Sequence, residues 1–170
     1  MKQINDNNSR IYSKQLQTET LQWMSNFDSY LSLACTFTIH QPDTINEQSV
    51  DTVWKQWEYY SKYLNRQLYG HAAKKYGKGL LILPVLHGEL SRTNLHFHAA
   101  IGCIDRDIKD YELRALVNRC WRNMEWSTNS TKIEKYENTN WISYMLKESV
   151  RLDLQSINLT KASIPKALLN

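Results

Sequence analysis

The stretch 79–104, GLLILPVLHGELSRTNLHFHAAIGCI, constrains this chain more than any other. Residues 80–89 and 95–104 are apolar runs, and Ser91, Arg92, Thr93 and Asn94 supply turn chemistry between them. The pattern predicts two strands folded back on each other. If the turn at 91–94 closes the hairpin, Leu90 sits opposite Leu95, Glu89 opposite His96, and His87 opposite His98. Side chains alternate faces along a strand, so His87, Glu89, His96 and His98 share one face. Phe97, Ala99, Ile101 and Cys103 point to the other.

Two neutral imidazoles and a carboxylate converging on one spot suit a divalent metal, with room left for water or substrate. A lone strand histidine is ordinarily a hydrogen-bonded side chain, and His-x-His by itself is a weak signal. Glu89 placed opposite His96 is what gives the pair weight. A cupin-type site would also need a carboxylate a few residues after the second histidine. Gly102 and Cys103 stand there instead.

Other readings along the chain agree with a compact α+β domain. A length of 170 residues suits one domain with a full-sized core. Residues 31–39 alternate apolar Leu31, Leu33, Cys35, Phe37 and Ile39 with small or polar partners, a half-buried strand. Ser49 is the expected cap of a helix running to about residue 73, with Val53, Trp54, Trp57, Tyr60 and Leu64 at helical spacing. Lys74, Lys75 and Lys78 at its end read as complement to the helix dipole. The glycines around them lack the spacing and the Ser/Thr of a nucleotide P-loop.

Asp107 or Asp110 is expected to cap a second helix with the stripe Leu113, Leu116, Val117, Cys120, Trp121 and Met124. A short strand follows at 131–136, then a helix from Thr139 or Asn140 to Val150. Residues 12–27 are loosely helical. The order strand–helix–strand–strand–helix–strand predicts a ferredoxin-like, split βαβ antiparallel sheet. Helices cover one face and the other is open, carrying His96 and His98. Three parts are expected: an extension at 1–30, the domain at 31–151 and a tail at 152–170.

Composition narrows the setting. A net charge of +4 and a pI near 8.9 permit a nucleic-acid partner without requiring one. Six tryptophans and ten tyrosines offer faces that can stack on bases, although most of them belong in a core. The three cysteines, Cys35, Cys103 and Cys120, are odd in number and lack metal-ligand spacing, which fits reduced thiols in a cytoplasmic compartment. There is no signal-peptide pattern and no apolar run long enough to span a bilayer, so no membrane is expected.

The helix after the last strand carries Trp141-Ile-Ser-Tyr144-Met-Leu-Lys147-Glu148. At helical spacing, Ile142, Met145, Leu146 and Ser149 gather on one side, and Asn140, Tyr144, Lys147, Glu148 and Arg151 on the other. A tyrosine one turn from a lysine is ordinary on a surface helix; beside a metal-bearing face it changes meaning. His96-Phe97-His98-Ala99-Ala100-Ile101 followed by Tyr144-x-x-Lys147 resembles the second and third motifs of the HUH endonucleases. The closest likeness is to the nicking domain of rolling-circle replication initiators. Cys35-Thr36-Phe37-Thr38 is similar to their weak first motif.

The resemblance implies a DNA endonuclease and strand transferase. His96, His98 and Glu89, with His87 as an alternative or additional ligand, would hold Mg²⁺ or Mn²⁺. Tyr144 would attack a scissile phosphate of single-stranded DNA at a replication origin or hairpin. That attack would leave a 5′-phosphotyrosine and a free 3′-OH, with Lys147 offsetting charge. Helicase and polymerase would be separate host proteins, in the cytoplasm or wherever the DNA element replicates. Arg92, Lys132 and Lys135 could track the DNA backbone.

Single-tyrosine transposases of the same superfamily tend to carry glutamine four residues after the tyrosine, where Glu148 stands. Conjugative relaxases usually add a third histidine and place their tyrosine near the N-terminus. A non-catalytic single-strand binding module would instead need aromatics on the open face. His96, His98, Thr36 and Thr38 occupy those positions. A small metal-dependent oxygenase would suit two histidines and Glu89 but leaves Tyr144 and Lys147 unexplained.

Overall fold

The computed structural model describes residues 2–88, 93–104, 108–147 and 158–169. It is an α+β chain built on one four-stranded antiparallel sheet. The strands are β1 (Leu33–Ile39), β2 (Leu81–His87), β3 (His96–Gly102) and β4 (Ser127–Lys135), in the spatial order β2-β3-β1-β4. The helices are α1 (Lys2–Ser25), α2 (Glu47–Tyr69), α3 (His71–Tyr76), α4 (Asp110–Arg122) and α5 (Asn140–Met145). Short 3₁₀ turns lie at Asp28–Tyr30, Leu159–Lys161 and Lys166–Leu168. Among the described residues no helix is long and apolar enough to cross a membrane.

Alternation along β1 and β3 sends Leu33, Cys35, Phe37, Ile39, Phe97, Ala99 and Ile101 into the main core, against the apolar stripes of α2 and α4. The aromatic residues are concentrated there. Trp57 lies 4.4 Å from Phe97 between ring centroids, and Trp121 lies 4.5 Å from Phe37. These indoles hold α2 and α4 on the sheet, and they are unavailable for stacking on bases.

The hairpin register differs from the sequence expectation. His87 pairs with His96, and Val85 with His98. In this register residue 88, not Leu90, comes opposite Leu95, and half of the turn expected at 91–94 falls outside the described residues. Gly88, at φ +93°, bends the chain away directly after His87, and its carbonyl accepts the Thr93 N–H at 3.1 Å. The connection therefore spans 88–95. Because the slip is two residues, the face of every side chain is preserved, and His87, His96 and His98 still share one side. Glu89 and Arg92 lie outside the described residues, as do Asp107, Glu148, Ser149 and Arg151.

Helix ends also differ. The cap of α2 is Asn46, whose side chain accepts the Ser49 N–H at 2.9 Å while Ser49 Oγ accepts the Asn46 N–H at 2.8 Å. Ser49, the expected cap, is the third-residue partner of that capping box. The helix stops at Gly70, at φ +55°, and α3 follows as a separate turn. Asp110 is the first residue of α4, and the Lys109 N–H is met by the Glu112 carboxylate at 3.0 Å. β4 begins four residues before the expected 131, because Ser127-Thr128-Asn129-Ser130 on an edge strand carries no apolar alternation to signal it.

The second face of the sheet is not uniformly open. Leu81, Leu83, Val85 and Ala100 form a second cluster with Met24 of α1 and with Ile142, Met145 and Leu146 at α5. Residues 1–30, read from sequence as an extension, thus supply Met24 and the flanking Leu21, Trp23 and Phe27 to this layer. What stays accessible is the strip around His96 and the exposed edge of α5.

At Gly102 the backbone of Tyr30 and Leu31 lies directly against β3. A Cβ there would fall inside the Tyr30 carbonyl and press on Leu31. Gly102→Ala is expected to destabilise the fold by about 1–3 kcal/mol through forced backbone shifts, read by urea denaturation.

Candidate metal centre

The sheet register brings the histidines together before any side-chain chemistry is considered. His87 and His96 face each other across β2 and β3, and His98 follows two residues along β3 on the same face. The ligand nitrogens of His87, His96 and His98 all lie within 4.8 Å of one another. These three residues could hold a metal ion.

Hydrogen bonds fix which nitrogen each ring offers. His96 Nδ1–H donates to the Asn94 carbonyl at 2.7 Å, which leaves Nε2 as its lone-pair nitrogen. His87 Nε2–H donates to the Met145 carbonyl at 2.5 Å, which assigns any metal-facing role to Nδ1. His98 Nδ1 sits 3.0 Å from Thr36 Oγ1, on the neighbouring strand. Such partners set the tautomer and aim of metal-binding imidazoles.

His98 Nε2 and His96 Nε2 are 3.2 Å apart. Two nitrogens about 2.0–2.1 Å from one first-row ion, at octahedral or tetrahedral angles, are separated by about 2.8–3.4 Å. The His96 and His98 nitrogens are therefore spaced to share one ion, with His87 alongside them. Burial, then the neighbouring His87, His96 and Lys147, push the His98 imidazole down to about 2, so this ring is neutral and ready to ligate.

α5 carries Tyr144 to the edge of this cluster. Ile142, Met145 and Leu146 are buried in the second apolar layer, which turns Tyr144 and Lys147 outward. The Gln17 side chain on α1 donates to the Leu146 carbonyl at 2.9 Å, so α1 straps the end of α5. The Tyr144 ring, 44% exposed, meets the His98 ring edge-on at 5.1 Å. Trp141, one turn earlier, stacks on it at 5.4 Å and 19°, and Lys147 Nζ, one turn later, lies 3.9 Å from its centroid. The Trp141 indole N–H is anchored on the Ala99 carbonyl of β3 at 3.2 Å. The strand carrying His96 and His98 thus also sets the orientation of the tyrosine.

A groove of about 800 Å³ runs over this region, lined among others by Thr36, His96, His98, Lys132, Trp141 and Tyr144. Lys135 also lines it; Lys132 is paired with Glu134 at 3.0 Å. Of the residues expected from sequence, the fold brings His87, His96, His98, Tyr144, Lys147, Lys132 and Lys135 to one region. Trp141, the Asn94 carbonyl and Gln17 were not foreseen. Trp141 was legible in principle, three residues before Tyr144 on the same side of its helix.

Comparison with family models, with curated proteins and with solved structures gives no match to this chain.

Proposed function

We propose that this chain is a metal-dependent endonuclease and strand transferase of the HUH type, acting on single-stranded DNA as a rolling-circle initiator does. The strand order β2-β3-β1-β4 with α2 and α4 on one face supports a split βαβ, ferredoxin-like framework for it. One observation carries the reading. The Tyr144 ring packs against His98 in the groove that also holds His96.

A divalent ion held by His87, His96 and His98 would polarise the scissile phosphate. Of the two ions implied by the resemblance, Mn²⁺ suits three imidazoles better than Mg²⁺, which prefers oxygen ligands. The protein's own part lies in the tyrosine. Trp141 and Lys147, one turn to either side, hold the Tyr144 ring at the wall of the groove. Attack forms a bond between Tyr144 Oη and phosphorus and breaks the bond from phosphorus to the 3′ oxygen. The phenol proton is lost to solvent, and the departing 3′ oxygen takes one up. The phosphodiester energy stays in the 5′-phosphotyrosine, so a 3′-OH can reverse the step. Lys147 offsets the charge that builds on the phosphate. A third histidine is a relaxase trait, but Tyr144 follows the cluster in sequence, which favours the initiator.

The test is incubation with a pool of single-stranded oligonucleotides and Mn²⁺, read on a denaturing gel. An adduct that maps to Tyr144 supports the reading. Cleavage without an adduct, or an adduct on another residue, contradicts it.

A further inference from the structure

A second groove, of about 680 Å³, lies between the end of α2, the 77–79 loop and the segment 158–169. Lys62, Arg66, Lys74, Lys78 and Lys161 line it, and among the described lining residues Glu58 is the one acid. Lys62, Arg66, Lys74 and Lys161 set against Glu58 sum to a formal +3. The C-termini of α2 and α3 subtract about half a charge each. About two unit positive charges remain gathered in one groove.

The walls are tied together by protein contacts. Glu58 accepts Lys62 Nζ at 2.6 Å and Lys161 Nζ at 2.9 Å, which fastens the C-terminal segment to α2. Asn65 Oδ1 accepts the Leu80 N–H at 2.6 Å, and Ser163 exchanges backbone hydrogen bonds with Ile82 at 2.8 and 2.9 Å. Lys62 and Arg66 are four residues apart on α2, a spacing of about 6 Å along the axis. Charges repeated along one wall suit a chain of phosphates better than a single anion.

We propose that this groove is a second nucleic-acid site, which takes the phosphate backbone of the strand outside the cleavage groove. The choice of nucleic acid as the polyanion rests on the endonuclease reading. The two sites are set apart by β2, which begins beside this groove at Leu81 and ends at His87. Six residue steps of strand are about 20 Å. A strand long enough to reach both would be held in the cleavage groove and gripped again to one side of the scissile bond.

The test is fluorescence anisotropy of the full chain with a labelled, mixed-sequence single-stranded 40-mer across a salt series. Arg66→Gln/Lys74→Gln removes two phosphate contacts. It is expected to lower the slope of log affinity against log salt by about 1.4 and to weaken binding about 25-fold at 0.1 M salt. Lys14→Gln/Arg122→Gln makes the same change in net charge on exposed positions elsewhere and is expected to keep the wild-type slope. An unchanged slope in the first variant, or an equal fall in the second, overturns the proposal. Tighter binding of poly-L-glutamate than of the 40-mer also overturns it and points to an acidic protein partner. The readout is equilibrium binding, so it stands whether or not Tyr144 forms an adduct. The denaturing gel judges the cleavage reading separately.

Discussion

Tyr144→Phe is expected to abolish the covalent protein–DNA adduct, lowering strand cleavage by at least about 10⁴-fold, as loss of a nucleophile does. The change removes one hydroxyl from a ring that is 44% exposed. The ring itself keeps its stack on Trp141 and its edge contact with His98. Stability and strand affinity should therefore stay close to wild type, the first read by thermal melting and the second by anisotropy. The combination matters more than the loss alone. A variant that binds DNA normally and makes no adduct has lost chemistry, whereas one that also melts early has lost the seat of α5. Retained cleavage in Tyr144→Phe would move the nucleophile to another residue.

The largest effect on folding is expected at Trp57. This side chain is fully buried and touches rings from three other elements: Phe37 of β1 at 5.7 Å, Phe97 of β3 at 4.4 Å and Trp121 of α4 at 6.3 Å. Trp57→Ala removes the indole that joins them and leaves a cavity that rigid neighbours fill poorly. The cost is expected to be about 3–5 kcal/mol, against a total of about 5–15 kcal/mol for a typical domain. Urea denaturation measures it. A loss below about 1 kcal/mol would mean that the ring cluster repacks and does not act as a unit. The effect should reach the site as well, because Phe97 sits between His96 and His98 on β3 and points into the cavity.

Much of this arrangement was legible from residue types. The alternation in β1 and β3 set which side chains enter the core, and a period of two put His87, His96 and His98 on one face whatever the hairpin register. That is why the same three histidines meet in either register. The register itself was hidden. Ser91-Arg92-Thr93-Asn94 has turn chemistry, but the bend is made at Gly88, whose positive φ depends on the path of the chain beyond it. β4 was half missed because an edge strand of Ser, Thr and Asn shows no apolar period.

The role of α1 could not be read locally. Gln17, Leu21 and Met24 lie one turn or so apart, yet what they touch is set by α5, more than a hundred residues away. The same is true of the second groove. Lys74 and Lys78 read as helix-end lysines until Lys161 and the C-terminal segment are seen to close the other wall.

The account depends most on the histidines forming a metal centre. Its most direct test is titration of the metal-free protein with Mn²⁺, followed by electron paramagnetic resonance with detection of nitrogen coupling. The expected result is one tightly bound ion per chain, with coupling to imidazole nitrogens that is lost in His96→Ala/His98→Ala. A protein that binds no Mn²⁺, or whose bound ion shows no imidazole coupling, would contradict the account.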